Sequence, residues 1–134
     1  LIGNGISKNP IFRVGILRHP VLRKEIQSDI IYESEYALAF KDINPQAKVH
    51  ILVIPKGPYL NIEHFSNNAS NEEIIDLMKA VSEVCKITGV STENEGNGFR
   101  CIANSGKDGF QEVPHFHFHI MGGEQLGLRG LRKK

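Results

Sequence analysis

Apolar residues gather in short runs along the first half of the chain, and turn-forming residues separate them. Residues 29–33 (DIIYE), 36–41 (YALAFK) and 48–55 (KVHILVIP) have the length of strands, with Ser34–Glu35 and Asn44–Pro45–Gln46 between them. The third run is apolar at adjacent positions, which predicts a central strand covered on both faces. The period then changes. Ile74, Met78, Val81 and Cys85 recur at i, i+4, i+7 and i+11, with Leu77 and Val84 widening the stripe, and predict an amphipathic helix over 71–88. Ser70 and Glu73 form a capping box at its start, and Gly89 supplies a left-handed stop. Earlier, residues 10–28 begin with Pro10, suited to a first helical turn, and contain Pro20, which stops or kinks that helix. Residues 99–104 (FRCIAN) predict a further strand. The order helix, strands, helix, strands predicts an α+β domain built on one antiparallel sheet with helices packed on it.

The last strand-like run carries the chemistry. PHFHFHIMGG (114–123) places His115, His117 and His119 at alternate positions, half of the six histidines in the chain. Side chains two apart on a strand share a face, at a spacing of about 6.6–6.8 Å. The imidazoles therefore face one way, and Phe116, Phe118 and Ile120 face the other, against a helix. Burying three imidazoles as plain core would require partners for every ring nitrogen, so a functional row is the better account. In one reading the row binds zinc, for which neutral imidazole is a good ligand. Three positions along a nearly straight line do not converge as tetrahedral ligands must, and this counts against the metal. In the other, one histidine attacks an electrophile while its neighbours orient it and manage protons. The preceding loop SGKDGFQEVP (105–114) favours the second reading. Asn104 and Gln111 offer side-chain amides, and Ser105–Gly106 and Asp108–Gly109 can turn backbone N–H groups toward an anion.

Composition narrows the setting. At 134 residues the chain is expected to form one domain over 1–134, with 1–9 as an N-terminal extension and 124–134 as a C-terminal tail. The tail ends in GLRGLRKK, read as a solvated basic segment. A net charge of +1 supplies no field to recruit nucleic acid or anionic membrane, and 7% aromatics with no tryptophan give no stacking platform. No apolar run reaches the roughly 20 residues of a membrane span, and LIGNGISKNP lacks the blocks of a signal peptide. Cys85 and Cys101 have no metal or redox spacing and read as buried thiols, so a cytoplasmic setting is expected.

These residues resemble a known family. HFHFHIM fits the H-φ-H-φ-H-φ-φ signature (φ apolar) of the histidine triad, or HIT, superfamily of nucleotide hydrolases and transferases. AFKDINPQAKVHILVIPK (39–56) resembles the F-x-D-x-x-P-x-x-x-x-H-x-L-V-I-P-K segment of its Hint branch, and the resemblance runs over about 10–123. It implies a five-stranded antiparallel sheet with two main helices, a homodimer whose sheets join across the two-fold axis, and no required metal or cofactor. It also implies hydrolysis of a purine nucleoside monophosphate linked to an amine or other leaving group. His117 would be the nucleophile that forms a nucleotidyl-histidine, His119 would contact the phosphate or the departing group, and His115 would orient the row with His50 behind it. Asn104 and Gln111 would hold phosphate oxygens, Asp42 the ribose hydroxyls, and Phe40, Ile43, Ile11 and Phe12 the base.

The sequence also departs from the pattern. Lys56–Gly57–Pro58–Tyr59 stands where a second histidine often follows the V-I-P-K segment, and Gly15 falls where a larger apolar residue often lines the base pocket. Glu112 replaces a family serine; a carboxylate there either repels an anionic phosphate or favours a cationic amine leaving group. The VPH segment resembles the Fhit branch, so a dinucleoside polyphosphate hydrolase is the alternative enzyme. A nucleotide-binding scaffold without turnover is the alternative outside enzymes.

Overall fold

The computed structural model describes residues 29–128. The helix expected over 10–28, with Ile11, Phe12 and Gly15, and the tail beyond residue 128 lie outside them. Five strands form one antiparallel sheet: β1 (Ile30–Glu33), β2 (Ala37–Lys41), β3 (Val49–Pro55), β4 (Phe99–Ile102) and β5 (Phe118–Gly122), in the order β1-β2-β3-β5-β4. Two helices, α1 (Ile62–Asn68) and α2 (Asn71–Thr88), and a 3-10 turn (Thr92–Asn94) stand between β3 and β4.

As expected, β3 is central, and all of it but Val49 is buried. Its alternation divides two clusters. Ile51 and Val53 join Ala37, Ala39, Phe118 and Ile120 on the face covered by the helices, which contribute Phe65, Leu77, Ala80, Val84 and Cys85. Leu52 and Ile54 join Leu38 and Phe40 on the opposite face. Phe40, Leu52, His119 and Ile102 are successive register partners across β2, β3, β5 and β4. Directly paired residues share a face, so His119 stands on the side of this second cluster.

α2 has the expected ends. Ser70 Oγ accepts from the Glu73 N–H at 3.1 Å, Glu73 Oε1 accepts from the Ser70 N–H at 2.9 Å, and Gly89 turns out of the helix at φ 81°. Its buried line differs from the expected stripe: Leu77, Ala80, Val84 and Cys85 face the sheet, whereas Met78 is 56% exposed. Ala80 explains the difference. Too small to register in a pattern of large apolar residues, it is nevertheless fully buried between Leu77 and Val84. The carboxylate of Asp76 also holds the β1–β2 turn, accepting from Ser34 Oγ at 2.6 Å and the Tyr36 N–H at 2.9 Å.

Three other features depart from expectation. α1 was not foreseen; it is a short, polar helix anchored by buried Phe65 and capped by Asn61, whose side chain accepts from the His64 N–H at 2.9 Å. β5 begins only at Phe118, because the Phe116 N–H is drawn to the Tyr59 carbonyl at 2.8 Å and the His115 N–H to the Val113 carbonyl at 2.8 Å. Cys85 is buried but Cys101, on the edge strand β4, is exposed. The tail is also tied down where it starts: Glu124 Oε2 accepts from the Lys48 N–H at 2.8 Å, and Arg100 Nη2 donates to the Gly127 carbonyl.

Candidate active site

The fold turns the histidine row into a bent cluster. Only His119 lies in the β5 ladder. His117 precedes it, with ring centroids 5.0 Å apart, and His50 reaches His119 from β3 at 5.2 Å. His115 stands apart as a fully buried residue that donates from Nε2 to the Pro55 carbonyl at 2.8 Å.

Hydrogen-bond partners assign a tautomer to each ring, because a carbonyl can only accept and a backbone N–H can only donate. His117 Nδ1 lies 2.7 Å from the His115 carbonyl, so Nδ1 carries the proton and Nε2 keeps its lone pair. The Gln46 N–H donates to His50 Nδ1 at 3.0 Å, which places the His50 proton on Nε2. That Nε2 donates to His119 Nδ1 at 2.9 Å, leaving the His119 proton on its own Nε2. In this arrangement His117 Nε2 is unprotonated and His119 Nε2 carries its ring's proton.

Burial keeps these rings neutral. It lowers His117 below the usual imidazole value of 6.5, against the opposing His115 carbonyl and Asp42. His119 is brought down to about 4, by burial first, then by His117 and His50, with Asp42 opposing. His50 is lowered mainly by burial, with Asp42 again opposing. A neutral imidazole is the nucleophilic form, and desolvation holds His117 in it.

Asp42 follows β2, where its N–H bonds the His50 carbonyl at 3.0 Å. Its Oδ1 accepts from the Asn44 N–H at 2.8 Å, and its Oδ2 lies 3.3 Å from His50 Nε2. Phe40 is buried in the second cluster, while Ile43 is 62% exposed. In the loop before the triad, Asn104 is partly buried and Glu112 exposed. Gln111 is committed to the loop itself. Its Nε2 donates to the carbonyls of Leu60 at 2.7 Å and Val113 at 2.9 Å, and its Oε1 accepts from the Gly106 N–H at 3.1 Å. That amide ties the loop to the segment before α1. Gly109 lets the loop close, since a Cβ there would meet the Ser105 carbonyl oxygen at 2.4 Å. The groups that set the tautomers escaped the sequence reading because they are backbone: the N–H of Gln46 and the carbonyls of Pro55 and His115. Only Gln46 leaves a trace, as the turn residue four positions before His50.

The donor atoms that could face a metal are engaged with one another. Asp42, His50 and His119 bring three donor atoms within 4.8 Å of one another, a convergence that the row itself does not offer. However, His50 Nε2 carries the proton that bonds His119, and the Gln46 N–H occupies the nitrogen to which that proton would have to move. The 2.9 Å between the two rings is a hydrogen-bond distance, shorter than the roughly 3.3 Å between ligands on a tetrahedral zinc.

A sheet that carries a buried neutral imidazole, a neighbouring imidazole donor and a carboxylate defines an α+β domain with a histidine-rich candidate active site. The HIT domain family model matches residues 23–126, and the chain belongs to the HIT family. It is similar to an uncharacterized 13.2 kDa HIT-like protein of Azospirillum brasilense, at 48% identity over 107 residues, covering 80% of this chain and 84% of that one. It is 39% identical over 110 residues to the purine nucleoside phosphoramidase of Escherichia coli K12, covering 80% of this chain and 86% of the relative. A HIT family hydrolase from Clostridium thermocellum has a similar structure, with TM-score 0.71 and 38% identity, covering 84% of this chain and 93% of that chain. Such relatives support hydrolase chemistry at the level of the family.

Proposed function

We propose that this chain hydrolyses purine nucleoside monophosphates joined to an amine, through a nucleotidyl intermediate on His117. The observation that carries the reading is the 2.7 Å bond from His117 Nδ1 to the His115 carbonyl, which leaves Nε2 as a buried, unprotonated nucleophile. In the first step Nε2 bonds to the α-phosphorus and the phosphorus–nitrogen bond breaks, its electron pair leaving with the amine, which takes a proton from solvent. His119 Nε2–H donates to a phosphate oxygen. Water then displaces the imidazole and releases the nucleoside monophosphate. Two moderate displacements replace one difficult one. Asp42 receives the ribose hydroxyls, Asn104 a phosphate oxygen, and Phe40 and Ile43 flank the base. Gln111 acts by holding the loop. Exposed Glu112 favours a cationic leaving amine. The closeness to a purine nucleoside phosphoramidase supports this choice of bond.

His117→Ala is expected to abolish turnover of adenosine phosphoramidate while AMP still binds, and wild type is expected to yield a nucleotidyl adduct on His117 by mass spectrometry. Substantial turnover by the variant would overturn the assignment. The reaction requires no metal, so exhaustive chelation leaves kcat unchanged. Loss of activity on chelation, restored by zinc, would reverse that conclusion.

A second copy is proposed to pair along β4. This strand is a sheet edge among the described residues, with Phe99 41% exposed, and α2 exposes Ile75 and Met78. Apolar side chains on an unpaired edge invite strand addition.

A further inference from the structure

We infer that Asp42 and His119 share one hydrogen-bond donor, His50 Nε2–H, and that ribose hydroxyls bound to Asp42 release that donor to His119, so that the nucleoside strengthens the tautomer that His119 holds. The inference rests on the nucleotide reading above.

His50 has a single N–H to give, because its other nitrogen already accepts from Gln46. That N–H lies 2.9 Å from His119 Nδ1 and 3.3 Å from Asp42 Oδ2, so two acceptors contend for it. One hydrogen cannot align fully with both, and the bond weakens steeply away from linearity. Ligand access to the contenders is unequal. The Asp42 side chain is 18% exposed and can meet a ribose, whereas that of His50 is 1% exposed and cannot. Asp42 Oδ1 is already engaged by the Asn44 N–H at 2.8 Å, which leaves Oδ2, the oxygen facing His50, as the better acceptor for an incoming hydroxyl.

When hydroxyls donate to Oδ2, the carboxylate loses acceptor strength toward His50. The shared hydrogen then aligns with His119 Nδ1, and the proton of His119 is confined to the Nε2 that faces the phosphate. Asp42 also acts through its charge, opposing the lowered basicity of His50, His117 and His119 alike. Partial neutralisation by hydroxyl donors therefore favours the neutral rings that attack requires. Asp42 is thus a positioning residue for the triad as well as an anchor.

The experiment compares AMP with 2′,3′-dideoxy-AMP on the full chain labelled with 15N-histidine, the His119 resonances being assigned with His119→Gln. At saturation, AMP is expected to move the His119 ring nitrogens toward a single Nε2–H tautomer, and the dideoxy ligand to leave them near their free positions. Adenosine phosphoramidate should then show a kcat about tenfold above its dideoxy analogue, the effect of roughly one hydrogen bond in the transition state. Asp42→Asn should remove the difference between the two ligands. The coupling is overturned if both nucleotides bind and produce the same His119 spectrum, or if the missing hydroxyls raise KM while kcat stays equal. If neither nucleotide binds, the proposed function fails, and the coupling with it.

Discussion

The protonation of His117 follows from one neighbour and from burial. The His115 carbonyl determines which nitrogen carries the proton, and burial keeps the other unprotonated. The same burial makes stability depend on pH. In the unfolded chain these histidines take up a proton near pH 6.5, whereas folded His119 does so only near about 4. Between those values the unfolded state binds more protons, so stability falls as pH falls. The contribution is fully present above pH 6.5 and lost progressively toward the folded value. Urea midpoints should therefore drop on acidification through this window, and His119→Gln should flatten the dependence. For the same reason, the acid limb of kcat/KM is expected below pH 6.5, the ordinary value from which His117 is lowered.

Among the elements, α2 shows how close packing decides a face. Leu77, Ala80 and Val84 meet the sheet, and Ala80 is fully buried at their centre. Replacing it with leucine inserts three carbons at a fully buried position. Ala80→Leu should cost about 1–3 kcal/mol in urea unfolding, and Met78→Leu, on the exposed side, should cost almost nothing. Similar losses would mean that the helix meets the sheet along the line read from periodicity instead. The capping box and glycine stop were legible because a cap involves residues only three or four apart. The face was not, because it depends on which side chains are small enough to let another element approach.

At the scale of the whole molecule, the sheet has one face covered by helices, a face that carries His119 and, among the described residues, an open edge at β4. β4 pairs with β5 alone among the described residues, and its outer side is where a partner strand is proposed. Phe99→Lys places a charge at that edge, and light scattering should report a halved mass relative to wild type. A wild-type protein that is already monomeric at high concentration would remove the proposed dimer. No described helix is long and apolar enough to cross a membrane.

Legible from the residues alone were the succession of strands along the chain, the central place of β3 and the span and caps of α2. Alternation, capping and turn formation are local, and they act over a few residues. Tertiary structure decided what those residues do. His50 and His119 are 69 positions apart and His115 and Pro55 are 60 apart, yet each pair is joined by a hydrogen bond. It also moved the start of β5 to Phe118, through the contact of Phe116 with Tyr59. A regular row of three imidazoles thereby became a cluster of His117, His119 and His50, with His115 set behind it. A proton's place on an imidazole depends on which donor or acceptor stands opposite, and only the assembled fold brings those partners together.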